Sequence, residues 1–175
     1  MMKFTLRELQ PKDAGFMQEW MHDEDVISSL GSDFSSKTLD DALSFIEHAN
    51  DSKNCKNLHL ACVDETDQYL GTVSLKNIDE VNKNAEYAIC FRRKAHGTGA
   101  PAFATAEILR IAFEKMQLEK VYLYLYSINK RANRFYQKQC FVLEGCQQKQ
   151  AVHKGEFVDV IWYGITREMW QYEQR

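Results

Sequence analysis

The sequence predicts a mixed α/β fold in which helices and a sheet pack as layers. Short runs that alternate apolar and polar residues, as strands do, are interspersed with longer runs whose apolar residues recur at helical spacing. The length of 175 residues suits a single domain that buries about 70% of the surface of its unfolded chain. No repeat, low-complexity segment or linker divides the sequence, so we expect one domain over residues 1–175.

The first half of the chain predicts one strand, two helices and three further strands. Strand-like runs occupy residues 4–9, 58–63, 69–75 and 85–91. Pro11 and Asp13 mark the start of the first helix, and Thr38 or a neighbouring serine is suited to cap the second.

The second half predicts a helix, a strand, a helix and two closing strands. Residues 102–116 carry an apolar helix face, and residues 129–140 form a shorter helical run. Between them, Tyr122, Tyr124 and Tyr126 alternate with aliphatic residues, so the tyrosines share one face of a strand. A turn at residues 153–156 separates the last two strands, the second of which covers residues 157–165.

Charge and hydropathy exclude several classes of function. A formal net charge of -3 argues against a general nucleic-acid-binding protein, which usually has a strongly basic face. No apolar run reaches the roughly 18 residues that a membrane span needs, and no basic, apolar leader opens the sequence. We therefore expect a cytoplasmic protein with neither a nucleic-acid nor a membrane partner.

Cysteine and histidine spacing gives no sign of a disulfide framework or a metal site. The five cysteines are Cys55, Cys62, Cys90, Cys140 and Cys146. They contain no C-x-x-C pair, and the five histidines show no H-x-x-x-H spacing. We expect reduced thiols and no bound metal.

The stretch KAHGTGAP, residues 94–101, places Gly97 and Gly99 between a predicted strand and a predicted helix. A helix N-terminus presents unpaired N–H groups and a partial positive charge, and glycine lets an anion approach the backbone closely. The loop is therefore a candidate phosphate cradle, although a plain turn or helix cap has the same composition. It matches neither the dinucleotide-binding fingerprint nor the P-loop.

Two motifs together resemble the GNAT family of N-acetyltransferases. K-x-x-G-x-G at residues 94–99 resembles the family's [RQ]-x-x-G-x-[GA] loop, which binds the pyrophosphate of acetyl-coenzyme A. Downstream, the family's N-x-x-[SA]-x-x-x-Y-x-K-x-G-F segment is matched at Asn129, Ala132, Tyr136, Lys138 and Phe141. Both ends of the chain also resemble the branch that contains ribosomal-protein and amino-sugar acetyltransferases. The resemblance spans residues 7–163, with a cysteine, Cys140, where the family commonly has glycine.

The resemblance implies a central, mostly antiparallel mixed sheet flanked by helices, with one splayed pair of strands. The pantetheine arm of acetyl-coenzyme A would lie between the strand ending near Phe91 and the strand beginning at Val121. Because Pro101 has no N–H, phosphate binding is expected to rest on the amides of residues 96–100. The implied cofactor-binding residues are Ile89, Cys90, Phe91, Lys94, Ala95, His96, Gly97, Thr98, Gly99, Ala100 and Asn129. For Asn129, capping of a helix is the alternative role.

Two residues are candidates for proton transfer. An attacking amine with a pKa of about 10.4 costs about 4–5 kcal/mol to deprotonate at pH 7, so a carboxylate base is useful. Glu86 lies on the strand leading into the loop, and its alternative role is a solvated or ion-paired strand residue. Tyr136 matches the family's tyrosine and is suited to protonate the departing thiolate, unless it simply packs beside Phe135.

Charged and aromatic clusters suggest where the ligands bind. Basic side chains near the two motifs are suited to attract phosphate: Arg92, Arg93, Lys94, Lys130, Arg131 and Arg134. Acidic residues at 22–26 and 40–41 either face a cationic acceptor or are solvated helix faces. The three tyrosines either line an acceptor pocket or form a packed sheet face.

The expected function is direct transfer of the acetyl group of acetyl-coenzyme A to a primary amine. The acceptor is an amino sugar, another small molecule or a protein N-terminus, and the oligomeric state, monomer or homodimer, stays open. Two alternatives remain at this point: a coenzyme A-binding regulatory module that has lost catalysis, and an enzyme that transfers a longer acyl group.

Overall fold

A computed structural model of the chain describes residues 3–28, 30, 34–51, 53 and 55–173. Seven strands run through these residues: β1 Thr5–Glu8, β2 Leu58–Val63, β3 Tyr69–Asp79, β4 Asn84–Phe91, β5 Lys120–Tyr126, β6 Val142–His153 and β7 Glu156–Thr166. The α-helices are α1 Ala14–Met21, α2 Glu24–Ile27, α3 Leu39–Ala49, α4 Ala100–Arg110, α5 Lys130–Lys138 and α6 Arg167–Glu173. Short 3₁₀ turns precede α1 and α4, and a π-helical turn, Ile111–Lys115, continues α4.

The strands form one sheet in the order β1-β2-β3-β4-β5-β7-β6. All neighbours are antiparallel except β4 and β5, which are parallel. These two strands pair only where residues 84–86 lie beside residues 120–122, and beyond that point they separate. The mostly antiparallel mixed sheet and its splayed strand pair are therefore confirmed.

Helices cover both faces of the sheet. On one face, α4 and α5 pack over a core that contains Leu75, Tyr87 and Val121. On the other face, α1 and α3 cover a second core built around Trp20 and Tyr69. Alternate residues of β5 point to opposite faces, and its aliphatic residues are buried while Tyr124 is 49% exposed, as the alternation predicted.

Local sequence signals explain where the helices begin. Thr38 caps α3 as predicted: its hydroxyl accepts from the Asp41 amide at 3.2 Å, and its own amide donates to the Asp41 carboxylate at 2.8 Å. Gly99 precedes α4 in a left-handed conformation, and Pro101 lies in the first turn of that helix. The side chain of Asn129 caps α5 by accepting from the amide of Ala132 at 3.0 Å.

Three elements differ from the sequence-based expectation, and one residue has an unusual backbone conformation. Strand β3 extends to Asp79, because its polar end pairs with β4 and Lys76 lies opposite Glu86. Helices α2 and α6 were not predicted; they have only four and seven residues, which is too short for a clear helical period. Cys140, where the family commonly has glycine, adopts a left-handed φ of 63°, a conformation that costs about 1–2 kcal/mol for a non-glycine residue.

No helix within the described part of the chain is long and apolar enough to cross a membrane.

Candidate active site

The separation of β4 from β5 opens a cleft of about 720 Å³. Its walls come from β4 and β5, from α1 on one side, and from α5 and the β6–β7 hairpin on the other. Five of the predicted catalytic and cofactor-binding residues line this cleft: Glu86, Ile89, Cys90, Asn129 and Tyr136. Tyr124 and Tyr126 line it too, so part of the tyrosine face borders a pocket.

Polar side chains of neighbouring strands form pairs on the cleft side of the sheet. Strand register places His59 beside Ser74, and Lys76 beside Glu86. A ring nitrogen of His59 lies 2.8 Å from the Ser74 hydroxyl. All four residues line the cleft. The pairing of the strands therefore brings these side chains together, and no loop residue is needed to position them.

Glu86 is held by two donors. Lys76 Nζ lies 2.6 Å from Oε1 of Glu86, and Asn77 Nδ2 donates to Oε2 at 2.9 Å. Glu86 is 8% exposed, so the ion pair is largely shielded from water. Glu86 therefore forms an ion pair, as in its alternative role, and its carboxylate also lines the cleft. A carboxylate has about four acceptor positions, so it can accept a further proton donor from the cleft.

Tyr136 enters the cleft from the other side of the sheet. Its ring packs against Tyr87 and Phe141, with centroid distances of 5.9 Å to each. Tyr87 neighbours Glu86 on β4 and therefore points to the opposite face. Burial raises the pKa of the Tyr136 hydroxyl, which stays protonated at neutral pH. Among the described residues, this hydroxyl has no hydrogen-bond partner.

The glycine loop lies where β4 ends and α4 begins, outside the lining of the cleft. Gly97 and Gly99 have φ values of 79° and 92°, which only glycine adopts without strain. The amides of His96, Thr98 and Ala100 donate to acceptors within the loop and the turn before it. In the described part of the chain, the amides of Gly97 and Gly99 donate to no protein acceptor. These two N–H groups are free to bind an anion.

The other predicted loop residues contribute backbone or packing. Phe91, Ala95 and Ala100 are buried in the core, so only their main chains are available to a ligand. The side chain of Lys94 bonds to Gln68, away from the loop. Thr98 closes the loop, because its hydroxyl donates to the Ala95 carbonyl at 2.8 Å.

Basic residues before the loop are occupied by other contacts. Arg92 is buried, pairs with Glu19 and lies 4.4 Å from the ring centroid of Phe16. Arg93 pairs with Asp25 at 2.6 Å. On α5 the situation differs: Arg131 Nη1 lies 3.1 Å from His96 Nδ1, which brings a positive charge beside the loop. Arg131 is thus placed to attract phosphate at the loop.

The acidic segments have structural roles. Asp23 caps α2, Asp25 pairs with Arg93, and Asp41 caps α3. None of the described carboxylates of residues 22–26 and 40–41 lines the cleft. The solvated or structural interpretation of these residues is the one that the geometry supports.

Several cleft residues were not identified as site residues from the sequence. They are Met17, Trp20, Met21, Phe34, Phe45, His59, Ser74, Lys76 and Trp162. Helical spacing could have placed Trp20 on one face of α1, and the alternation of β2 could have placed His59 on one face of that strand. Neither pattern indicates which strands and helices meet around a cavity, because that depends on contacts between distant parts of the chain.

Comparison with known proteins assigns the chain to a family. The sequence pattern of the acetyltransferase (GNAT) domain matches residues 3–142. The chain belongs to the GNAT acetyltransferase family. It is 23% identical over 164 residues to the SPbeta prophage-derived uncharacterized N-acetyltransferase YokL of Bacillus subtilis, covering 94% of this chain and 90% of the relative. It is also 23% identical to the uncharacterized N-acetyltransferase p20 of Bacillus licheniformis, covering 94% and 93%.

Solved structures share the GNAT fold over nearly the whole chain. A spermidine N-acetyltransferase from Vibrio cholerae, in complex with CoA and spermine, superposes with a TM-score of 0.85. The sequences are 22% identical, and the match covers 96% of this chain and 98% of that one.

Membership of the GNAT family makes the chain an N-acetyltransferase, and the family uses acetyl-coenzyme A as acetyl donor. The residues present fit such a donor: two free amides follow strand β4, a basic side chain lies beside them, and a cleft opens along the strand. Within the described residues, no group of three or more His, Cys, Asp or Glu could hold a metal ion.

The burial of His59 leads to a pH-dependent stability. Burial, reinforced by the charge of Lys76, lowers the pKa of His59 from 6.5 to about 4. Between these values the unfolded chain binds a proton that the folded chain does not, so stability falls as the pH decreases from about 6.5 to about 4. We expect the His59→Gln variant to show a shallower decrease, measured by urea unfolding across this range. In NMR titration, an imidazole of His59 that titrates near 6.5 would contradict the expectation.

Proposed function

We propose that the chain, as one domain over residues 1–175, transfers the acetyl group of acetyl-coenzyme A directly to a primary amine. The acceptor amine belongs to a small molecule or a peptide N-terminus. One observation carries the proposal: Glu86 and Tyr136 reach the same cleft from opposite faces of the sheet, at the place where β4 and β5 separate. A base and an acid on two sides of one gap suit a reaction that removes one proton and supplies another.

Main-chain groups of the glycine loop and of β4 suggest where acetyl-coenzyme A binds. The pyrophosphate would bind the amides of Gly97 and Gly99, near Arg131. Beyond Glu86, strand β4 has no partner on the β5 side. Alternate residues of β4 bond to β3, as Cys90 does opposite Thr72, so the main-chain groups that face the open side for the amide groups of pantetheine belong to Ile89 and Phe91, and Cys90 borders them. Asn129 caps α5 and lines the same cleft, so it borders this arm.

The chemistry assigns one proton to each residue. Glu86 accepts a proton from the ammonium group, directly or through water, and the neutral nitrogen attacks the thioester carbonyl. A C–N bond forms, the C–S bond breaks, and Tyr136 donates its proton to the departing thiolate. The newly bonded nitrogen then loses its second proton, which returns to Tyr136 through water, and Glu86 releases its proton to solvent. The products are the N-acetylated amine and free coenzyme A. The high pKa of Tyr136 keeps its proton in place until the sulfur becomes negative.

Small-molecule amines are the acceptors that the comparisons favour. The structural neighbours include an enzyme whose complex contains spermine. This likeness, at 22% identity, supports an amine as acceptor.

Replacing Gly97 tests whether acetyl-coenzyme A binds at the glycine loop. Gly97→Val places a branched side chain beside the free amides, and we expect the affinity for acetyl-coenzyme A to fall at least about tenfold, or about 1.4 kcal/mol. Gly155→Val is the matched control, because Gly155 also has a positive φ, 84°, and open space around it. Calorimetric titration of both folded variants measures the effect. Equal affinities would remove the loop from the donor site.

Replacing Glu86 tests the base. Glu86→Gln keeps the size and removes the basic carboxylate, so we expect kcat at pH 7 to fall about 10²-fold or more. Activity should partly recover at high pH, where more of the amine is already neutral. Glu144→Gln is the control, since Glu144 also pairs with a strand lysine, Lys120, at 2.7 Å but lies outside the cleft lining. A Glu86→Gln enzyme with the wild-type rate at pH 7 would leave Glu86 as an ion-pair partner only.

Replacing Tyr136 separates catalysis from binding. Tyr136→Phe keeps the ring, so we expect kcat and kcat/KM to fall together by about 10²-fold while acetyl-coenzyme A affinity hardly changes. Steady-state thiol release and calorimetry give the two quantities. Tyr163→Phe is the control: its hydroxyl bonds to Asn133 and Gln137, so it supports the same helix from outside the cleft. Reduced affinity with unchanged kcat would make Tyr136 a binding residue instead.

A further inference from the structure

We propose that the acceptor carries a single amine on a flat, apolar body, in the manner of an arylalkylamine, and is not a polyamine. This inference rests on the transferase function proposed above and specifies its substrate class. Two features of the cleft lead to it, the aromatic walls and the balance of charge.

Aromatic rings from six different elements or segments line the cleft. Trp20 and Phe34 meet edge to face at 5.1 Å between ring centroids. Phe45 and His59 meet in the same way at 4.9 Å. Tyr124 and Trp162 pack at 5.0 Å. All six residues line the cleft, so an acceptor that enters it lies between aromatic surfaces that favour a flat, apolar group.

Trp162 is fixed in its orientation. Its indole N–H donates to Oε1 of Gln147 on the neighbouring strand at 3.0 Å. Strand register pairs it with Tyr124, whose ring lies at a tilt of 39° to the indole. An anchored indole offers a preformed surface, so little side-chain entropy is lost when a ligand packs on it.

Charge in the cleft is balanced. The charged side chains among its described lining residues are Lys76 and Glu86, whose charges cancel at 2.6 Å. One ammonium group can give its proton to Glu86. A second ammonium group, as in a polyamine, would meet no counter-charge among the described lining residues, and an uncompensated charge is costly to take out of water.

His59 adds to the apolar character of the wall. Its pKa of about 4 leaves the imidazole uncharged at pH 7, and its ring is held between Phe45 and the hydroxyl of Ser74. Lys76 is the cation close enough to influence its titration. The carboxylates of Asp23, Asp25 and Asp41 are engaged in caps and ion pairs elsewhere, so they do not supply the missing counter-charge.

A panel of three amines tests the inference with the full chain and acetyl-coenzyme A. The amines are 2-phenylethylamine, its saturated analogue 2-cyclohexylethylamine, and spermidine. We expect kcat/KM, measured as thiol release, to be highest for 2-phenylethylamine and at least about tenfold lower for spermidine. The saturated analogue, which has the same charge but a thicker ring, should fall between them. Equal or higher kcat/KM for spermidine would overturn the inference.

Binding of the same amines, read by quenching of tryptophan fluorescence, separates the two proposals. If no amine releases thiol, the transferase proposal fails, and tighter binding of 2-phenylethylamine than of spermidine would still support the acceptor class. Tighter binding of spermidine would overturn it, whatever the catalytic result.

Variants on strand β7 test whether the acceptor packs against Trp162. Trp162→Ala should raise KM for 2-phenylethylamine at least about tenfold. Trp162→Phe should have a KM close to that of the wild type, because an aromatic ring is again present. Phe157→Ala, an exposed aromatic of the same strand outside the cleft, is the control. If Trp162→Ala leaves KM for 2-phenylethylamine unchanged in a folded protein, the aromatic wall does not bind the acceptor.

Discussion

The short parallel contact between β4 and β5 determines the rest of the site. Only residues 84–86 pair with residues 120–122, although both strands continue for several residues. Where the pairing stops, two strand edges face a gap instead of each other, and unpaired main-chain groups favour a ligand that can bond to them. The gap is stable because helices pack on both faces and other strands continue the sheet on both sides of it.

A gap through a sheet gives access to both of its faces. Adjacent residues of a strand point to opposite sides, so Glu86 and Tyr87 lie on different faces of the sheet. The ring of Tyr87 packs against Tyr136, and all three residues line the same cleft. The two environments differ as their proposed roles require. Glu86 is in contact with two polar donors, Lys76 and Asn77, whereas Tyr136 is buried, and burial disfavours its ionisation.

Much of this arrangement was accessible from the sequence. The strands, the caps at Thr38 and Asn129, and the glycine loop depend on neighbouring residues, and local patterns indicated each of them. The resemblance to GNAT proteins added the splayed strands, which no local pattern encodes. The roles of Arg92 and Lys94 were less accessible, because their partners Glu19 and Gln68 lie far away in the sequence.

The sequence by itself determined the order of the major elements, the face on which each strand residue lies, and the glycine conformations needed before α4. These properties follow from periodicity and backbone sterics over a few residues. Only the tertiary structure decided that Lys76 would neutralise Glu86 and that Trp20, Phe45 and Trp162 would surround one cleft. Such groupings arise when distant segments pack on the same sheet, and their physical cause is the register and burial of the whole fold, not any short stretch of the chain.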